Sequence, residues 1–269
     1  MNLSMYLNTY LYANLLARLL TRLFIFLSGL VIGSFVNVII YRIPRKESIV
    51  IGRSHCVNCG AVLSAAELFP VMSYMLQRGR CKNCGVRISA RYPIVELLTA
   101  CLFISFYIRF HVTFEFFIYS AFFSLLIAVC FIDIEWMIIP NRLVFYSLMI
   151  ALIAFMINIM RPLTIYESSN PFYPLSGLIP GAVFFFLIHI ISLIFFEQEN
   201  SIGMGDIKIL LPIGLILGFR RCFIAVFISI ITGGVVGLIL VITKIKGRKD
   251  PIPFGPFLVI GAYLSLLLF

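Results

Sequence analysis

Three aspartates occur in the chain, and two of them stand where an apolar stretch ends or begins. Asp133 closes the run from Phe116 to Ile132, within Phe131-Ile132-Asp133-Ile134-Glu135-Trp136-Met137-Ile138-Ile139-Pro140-Asn141. Asp206 opens another run, within Gly203-Met204-Gly205-Asp206-Ile207-Lys208. An ionisable residue at such a depth costs a few kcal/mol, which makes it a functional candidate. Two carboxyl groups a few ångströms apart cannot both ionise easily, so the pair shares one proton. That is the state in which one carboxylate takes a proton from water while its protonated partner polarises a scissile carbonyl. Gly203 and Gly205 would let the backbone come close to a substrate strand. Spacing leaves other readings open: Asp206 could cap a helix starting at Ile207, and Asp133 could pair with Arg142 or Lys208. Asp250 lies in the basic run Lys244 to Lys249 and reads as a solvated loop residue.

A second constellation is made of sulfur. Four of the seven cysteines form two Cys-x-x-Cys pairs, Cys56 with Cys59 and Cys81 with Cys84, each followed by glycine, Gly60 and Gly85. Two such knuckles about twenty residues apart match a tetrahedral zinc site. Four thiolates would fill the coordination sphere, so the expected role is structural. Reduced thiols or a redox pair are the alternatives. Cys101, Cys130 and Cys222, in or beside apolar stretches, read as packing residues, as does the lone His189.

The elements that must carry these groups follow from composition. The chain is 62% apolar and 12% charged, against about 25% charged in an ordinary globular domain. The apolar stretches are continuous rather than alternating, which excludes a transmembrane barrel. The expectation is an all-α polytopic membrane protein, with lipid as its surroundings. Eight spans are read, at 23–41, 94–110, 116–132, 143–160, 177–196, 207–219, 222–243 and 254–269. Residues 1–22 form an N-terminal segment suited to the interface. Residues 42–93 form a small polar domain, too small for a full core and stapled by the four-cysteine site, and 94–269 form the bundle that carries the aspartates. No signal-peptide cleavage pattern interrupts the first span, so it reads as a retained helix.

Net charge is +10, but the basic residues cluster beside apolar spans, so nucleic acid is not the expected partner. Most lie in the loop 42–93, at Arg142, at Lys208 and along Lys244 to Lys249. Fewer lie at Arg18, Arg22, Arg109, Arg161, Arg220 and Arg221. The positive-inside bias then puts the cysteine domain and both aspartates at the cytoplasmic face.

The order of motifs resembles the type IV prepilin peptidase family across most of residues 29–262. Gly33-Ser34-Phe35-Val36-Asn37-Val38 through Tyr41-Arg42-Ile43-Pro44 resembles its first-helix signature. The Cys-x-x-Cys pairs follow, then Arg78-Gly79-Arg80-Cys81, Arg91-Tyr92-Pro93-Ile94-Val95-Glu96-Leu97-Leu98, the two aspartate segments, and Pro253-Phe254-Gly255-Pro256-Phe257. The resemblance implies a bacterial inner-membrane enzyme with Asp133 and Asp206 as the catalytic pair. It would cut the basic leader from type IV prepilins or pseudopilins on the cytoplasmic side, and then methylate the new amino terminus with S-adenosylmethionine. The family pattern often reads Asp-x-Asp and ends Pro-Asp, where this chain has Glu135 and Asn141. Asp133 alone keeps the aspartate there. Glu96 could contribute to a cofactor site or pair with Arg91. Glu67, Glu135, Glu197 and Glu199 are candidates to receive the leader's positive charges. Another intramembrane aspartyl protease, or a transporter or scaffold with a zinc knuckle, are the competing classes. Oligomeric state is not encoded in any motif.

Overall fold

The computed structural model describes residues 3–166, 168, 170–196, 203–247 and 250–269, by backbone alone at 3–14 and 191–196. Its helices are α1 (Leu3–Arg42), α2 (Met72–Leu76), α3 (Arg91–Phe110), α4 (Phe114–Trp136), α5 (Asn141–Met160), α6 (Tyr173–Ser176), α7 (Phe184–Phe196), α8 (Met204–Ile242) and α9 (Gly255–Leu268). Among the described residues the only β pairing is two isolated bridges, His55 with Val62 and Arg80 with Arg87. The expectation of an all-helical membrane protein with a small cysteine domain therefore holds. Counted by length and composition, six helices could cross a membrane, with the shorter apolar α9 beside them. The eight spans read from sequence are not matched one for one in that count, because 207–219 and 222–243 both fall inside α8, which is broken at Gly218. The chain packs as two units, Met1–Ile39 with Ser48–Phe116, and Ile40–Glu47 with Phe117–Phe269.

In the first unit, α1 and α3 meet backbone to backbone. A Cβ at Gly29 would lie 2.6 Å from Ala100 Cα, and one at Gly33 would lie 2.6 Å from Glu96 Cα. Gly29-Leu30-Val31-Ile32-Gly33 is a small-xxx-small stripe of the kind that lets helices approach in lipid, where no hydrophobic force drives them together. One turn further, the Asn37 side chain donates to the Tyr92 carbonyl at 3.0 Å. The apolar part of α1 begins at Leu15, and the helix runs through residue 22, where the sequence alone draws a boundary.

In the second unit α8 is central, touching α5, α6, α9 and the π-helical turn Ile179–Val183. It is not one rod. Gly218 has φ 69° and ψ −179°, a conformation open essentially to glycine alone. The helix before it loses the N–H partners of its last carbonyls. The Tyr166 hydroxyl donates to two of them, Leu215 O at 3.1 Å and Ile216 O at 2.9 Å. Beyond the break, the Arg220 N–H points to the Tyr173 hydroxyl oxygen at 3.4 Å. Gly177 and Gly214 face each other with no side chain between them, which seats α6 against the first segment.

The two segments of α8 run in opposite senses. Along α9, Gly255 lies at Asp133, the Phe257 carbonyl accepts from Ser229, and the Phe269 carbonyl accepts from Arg221. The fourteen residues of α9 span about 21 Å. Asp206 lies within electrostatic reach of Asp133, at the Gly255 end. Arg221 lies at the other. The chain thus crosses the unit between 206 and 217 and returns from 219 onward.

Two substitutions test the reversal in purified protein in detergent. Tyr166→Phe should lower unfolding stability by about 1–3 kcal/mol, because two buried carbonyls lose their donor. Gly218→Ala should cost at least about 1–3 kcal/mol, since its Cβ would also meet Tyr173 Cε1 at 2.7 Å. A continuous helix through 218 would leave both variants as stable as the parent.

Candidate active site and metal centre

Asp133 sits in the last turn of α4. The helix ends one turn later, where the Met137 N–H returns to the Asp133 carbonyl at 2.9 Å and Met137 takes φ 52°. The Asp133 side chain is buried at 6% exposure, while Glu135 is exposed. A spacing of two residues points them to different helix faces. The substituted position of the Asp-x-Asp pattern is therefore off the face that carries Asp133.

Asp206 lies in the first turn of α8, half-buried, its N–H donating to the Gly203 carbonyl at 3.0 Å. Both glycines of Gly203-Met204-Gly205-Asp206 have a steric reason. A Cβ at Gly203 would lie 3.0 Å from Asp206 Oδ2, and one at Gly205 would lie 3.1 Å from Ile139 Cβ. Ile139 belongs to the short link between α4 and α5. Gly205 thus lets the Asp206 turn press onto the strand of chain that follows Asp133. A second tie joins the same segments: Lys208 Nζ donates to Asn141 Oδ1 at 3.2 Å. Asparagine keeps the side-chain oxygen that an aspartate would offer there, so this departure from the family pattern preserves the contact.

A third segment completes the site. The Gly255 N–H, first of α9, donates to Asp133 Oδ2 at 2.9 Å. N–H groups of a first helical turn lack intrahelical partners, and a carboxylate beside them is favoured by the helix dipole. A Cβ at Gly255 would lie 2.7 Å from the same oxygen. The sequence places Gly255 in a Phe-Gly-Pro motif without indicating this role. The detectable signal is glycine followed by proline at the start of an apolar run. Of the alternatives left open by spacing, Lys208 is engaged with Asn141, and Asp250 is a loop residue accepting from the Gly247 N–H at 2.7 Å.

The four cysteines meet in the first unit, their Sγ atoms all within 4.8 Å of one another. The two knuckles repeat one pattern. Cys56 N–H donates to the Ala61 carbonyl and Gly60 N–H to the Cys56 carbonyl; Cys81 and Gly85 do the same with Val86 and Cys81. Gly60 and Gly85 take φ 71° and 70° in open space, so they serve the turn rather than a close approach. Asn58 Nδ2 points to Cys84 Sγ at 3.7 Å, and Cys56 Sγ lies 3.9 Å from Cys84 Sγ. Backbone N–H groups of Cys59 and Asn58 draw the Cys56 thiol down to about 6. The Val86 N–H lowers that of Cys84. At Cys59 the Ala61 N–H also lowers, but desolvation and the neighbouring thiols outweigh it and push the group up to about 11. This donor set could hold a metal ion.

Glu96 is buried at 7% exposure. Its carboxylate accepts the Val71 N–H at 2.7 Å and the Ser34 hydroxyl. No local motif signals the Val71 partner, which lies 25 residues earlier in the chain. Glu197 and Glu199 lie outside the described residues.

Comparison with known proteins agrees with this architecture. The description "Bacterial Peptidase A24 N-terminal domain" matches residues 27–110, and "Type IV leader peptidase family" matches 120–238. A protein of Bacillus subtilis named "Prepilin leader peptidase/N-methyltransferase" is 38% identical, over 90% of this chain and 92% of its own length. Proteins of that name from Myxococcus xanthus and Legionella pneumophila are 33% and 32% identical, over 85% and 89% of this chain and 65% and 88% of their own lengths. No solved structure matches the chain. With both matched regions in the order of the two structural units, and a 38% identical relative aligned along nearly its whole length, this protein belongs to the type IV leader peptidase family.

Proposed function

We propose that this chain is a membrane aspartyl endopeptidase that removes the basic leader of type IV prepilins or pseudopilins, with Asp133 and Asp206 as its catalytic pair. The observation that carries the reading is the meeting of the α4 end, the α8 start and the α9 start around two carboxyl groups within electrostatic reach of one another. The pair shares one proton. The ionised carboxyl takes a proton from water, and the hydroxide so formed attacks the scissile carbonyl. The protonated carboxyl hydrogen-bonds the carbonyl oxygen and neutralises it as the tetrahedral centre forms. Collapse of that centre breaks the C–N bond and passes a proton to the leaving amine. Gly255 holds Asp133 in place through its N–H.

Charge supports the cytoplasmic side of a bacterial inner membrane for the cysteine domain, where Arg78, Arg80, Lys82 and Arg87 are exposed, and separately for the carboxyl pair, where Lys208 stands two residues after Asp206. Among acids that could meet the leader's charges, Glu67 is held by its own cap, its carboxylate accepting from Ser64 N–H and Oγ at 2.9 and 2.7 Å.

The relatives' printed name also carries N-methyltransferase, and the same activity is proposed here, with S-adenosylmethionine supplying the methyl group to the amine freed by cleavage. The Glu96 carboxylate accepts from Val71 and Ser34, contacts that serve the fold and do not point to that cofactor. No residue is assigned to it.

For the cysteine cluster, zinc is the proposed metal. Tetrahedral Zn–S bonds of about 2.3 Å require sulfurs roughly 3.8 Å apart, which suits the 3.9 Å between Cys56 and Cys84. All four positions would be taken by thiolate, so the ion would hold the fold of the domain and leave no site for water chemistry.

Co-expression with a prepilin tests the peptidase. The parent should convert the substrate to the shorter form, with a mass gain of one methyl group at its amino terminus. Asp133→Asn and Asp206→Asn should each reduce cleavage by at least about a thousandfold, the usual scale for losing an acid or base acting as one unit. Full processing by either variant would end the proposal.

Metal analysis tests the cluster separately. Purified parent and Asp133→Asn should carry about one zinc per chain, and Cys56→Ser or Cys84→Ser should lose it and unfold the cysteine domain. A metal-free parent containing a disulfide would favour a redox pair instead.

A further inference from the structure

A tether of the loop between α1 and α3 runs from Val71 to Glu96 on α3. Glu96 lies five residues into α3, about 7.5 Å along the axis, and its carboxylate holds the Val71 N–H. Gly33 abuts the same level from α1, and α1 continues nine residues further to Arg42, about 13.5 Å. Helical side chains lean toward the N-terminus, so the Glu96 carboxylate reaches back toward the first turn of α3 and holds Val71 beside that turn, while α1 still runs on toward Arg42. Val71 is also held in an unfavourable conformation, φ 59° and ψ −50° in a β-branched residue, at the start of α2.

What surrounds Val71 is unusual for a polar domain. Phe69 is 54% exposed, Met72 55%, Met75 69% and Leu76 80%. Arg78 and Arg80 follow at once and are exposed. Apolar side chains of this size, left open beside a residue tied to the start of a spanning helix, match acyl chains rather than water. Guanidinium groups immediately after them match lipid phosphates.

We infer that the segment Phe69–Leu76 is a membrane anchor, inserting Phe69, Met72, Met75 and Leu76 into the leaflet on the cysteine-domain side, with Arg78 and Arg80 on anionic headgroups. The anchor joins the metal-binding knuckles to the bilayer at a second point besides the two spans. Glu96 is its positioning residue, because the Val71 N–H is the tie that sets the depth.

The parent's single tryptophan, Trp136, permits a direct measurement. The full-length variants Met75→Trp and Leu76→Trp are reconstituted in phosphatidylglycerol bilayers with brominated acyl chains, with zinc content and helicity checked against the parent. The emission added over the parent should be blue-shifted and fall roughly twofold or more relative to unbrominated bilayers, as for a side chain at the acyl boundary. Adding Arg78→Gln and Arg80→Gln should weaken that quenching. Water-like, unquenched emission at both positions would overturn the inference. Blue-shifted emission that bromine does not quench would overturn it equally, because it would mark burial against protein, whether a second copy or a bound helix.

Discussion

Two carboxyl groups at the end of an apolar helix bundle can meet only if the backbones carrying them come closer than ordinary side chains allow. Helices in lipid have no hydrophobic force to bring them together, so contact depends on surface shape. Here glycine supplies the shape. Gly205 lets the α8 turn rest on Ile139, Gly203 leaves room for the Asp206 carboxylate, and Gly255 comes near enough for its N–H to reach Asp133. The same device brings α1 onto α3 at Gly29 and Gly33, and α6 onto α8 at Gly177 and Gly214. A methyl group would meet a neighbouring backbone at Gly29, Gly33, Gly177 and Gly214, and a side chain of the carboxyl cluster at Gly203, Gly205 and Gly255.

The polar contacts are then few and each has a definite task. In a membrane, any backbone group released from a helix must find a partner within the protein. Tyr166 and Tyr173 do this on either side of Gly218, and Asn37 adds a side-chain donor to the Tyr92 carbonyl in the first turn of α3. Lys208 and Asn141 join the α8 and α5 starts. These ties lie at helix ends, where breaks and reversals leave donors and acceptors over.

How much of this could be read in advance depends on the range of the interaction. The cysteine knuckles were legible because each is a four-residue turn with its own glycine. The apolar spans were legible because composition alone demands them. Asp133 and Asp206 stood out as rare acids at span edges, but their meeting was not visible in spacing; the order of motifs carried that expectation. The break at Gly218 was half legible. The sequence reading divides two short spans at 220–221, just after the break, and nothing in Leu217-Gly218-Phe219 shows that the chain turns back without a loop. The Glu96–Val71 and Gly255–Asp133 contacts were hidden, since they join residues 25 and 122 positions apart. Arg91, the partner that the sequence offers for Glu96, stands five residues before it and about 140° away round the helix, and a linear reading offers only partners of that kind.

The loopless reversal at Gly218 makes the first segment of α8 a rod of fixed length. One end is clamped by Tyr166 and by the Gly177–Gly214 contact, and the other carries Asp206. Adding or deleting one residue between them would turn the aspartate about 100° around the axis and move it about 1.5 Å along it. No slack loop exists at the clamped end to absorb such an error. Between Ile207 and Gly218 only Lys208 and Leu211 are exposed, so the packing that surrounds the rod holds its length as firmly as the clamp does.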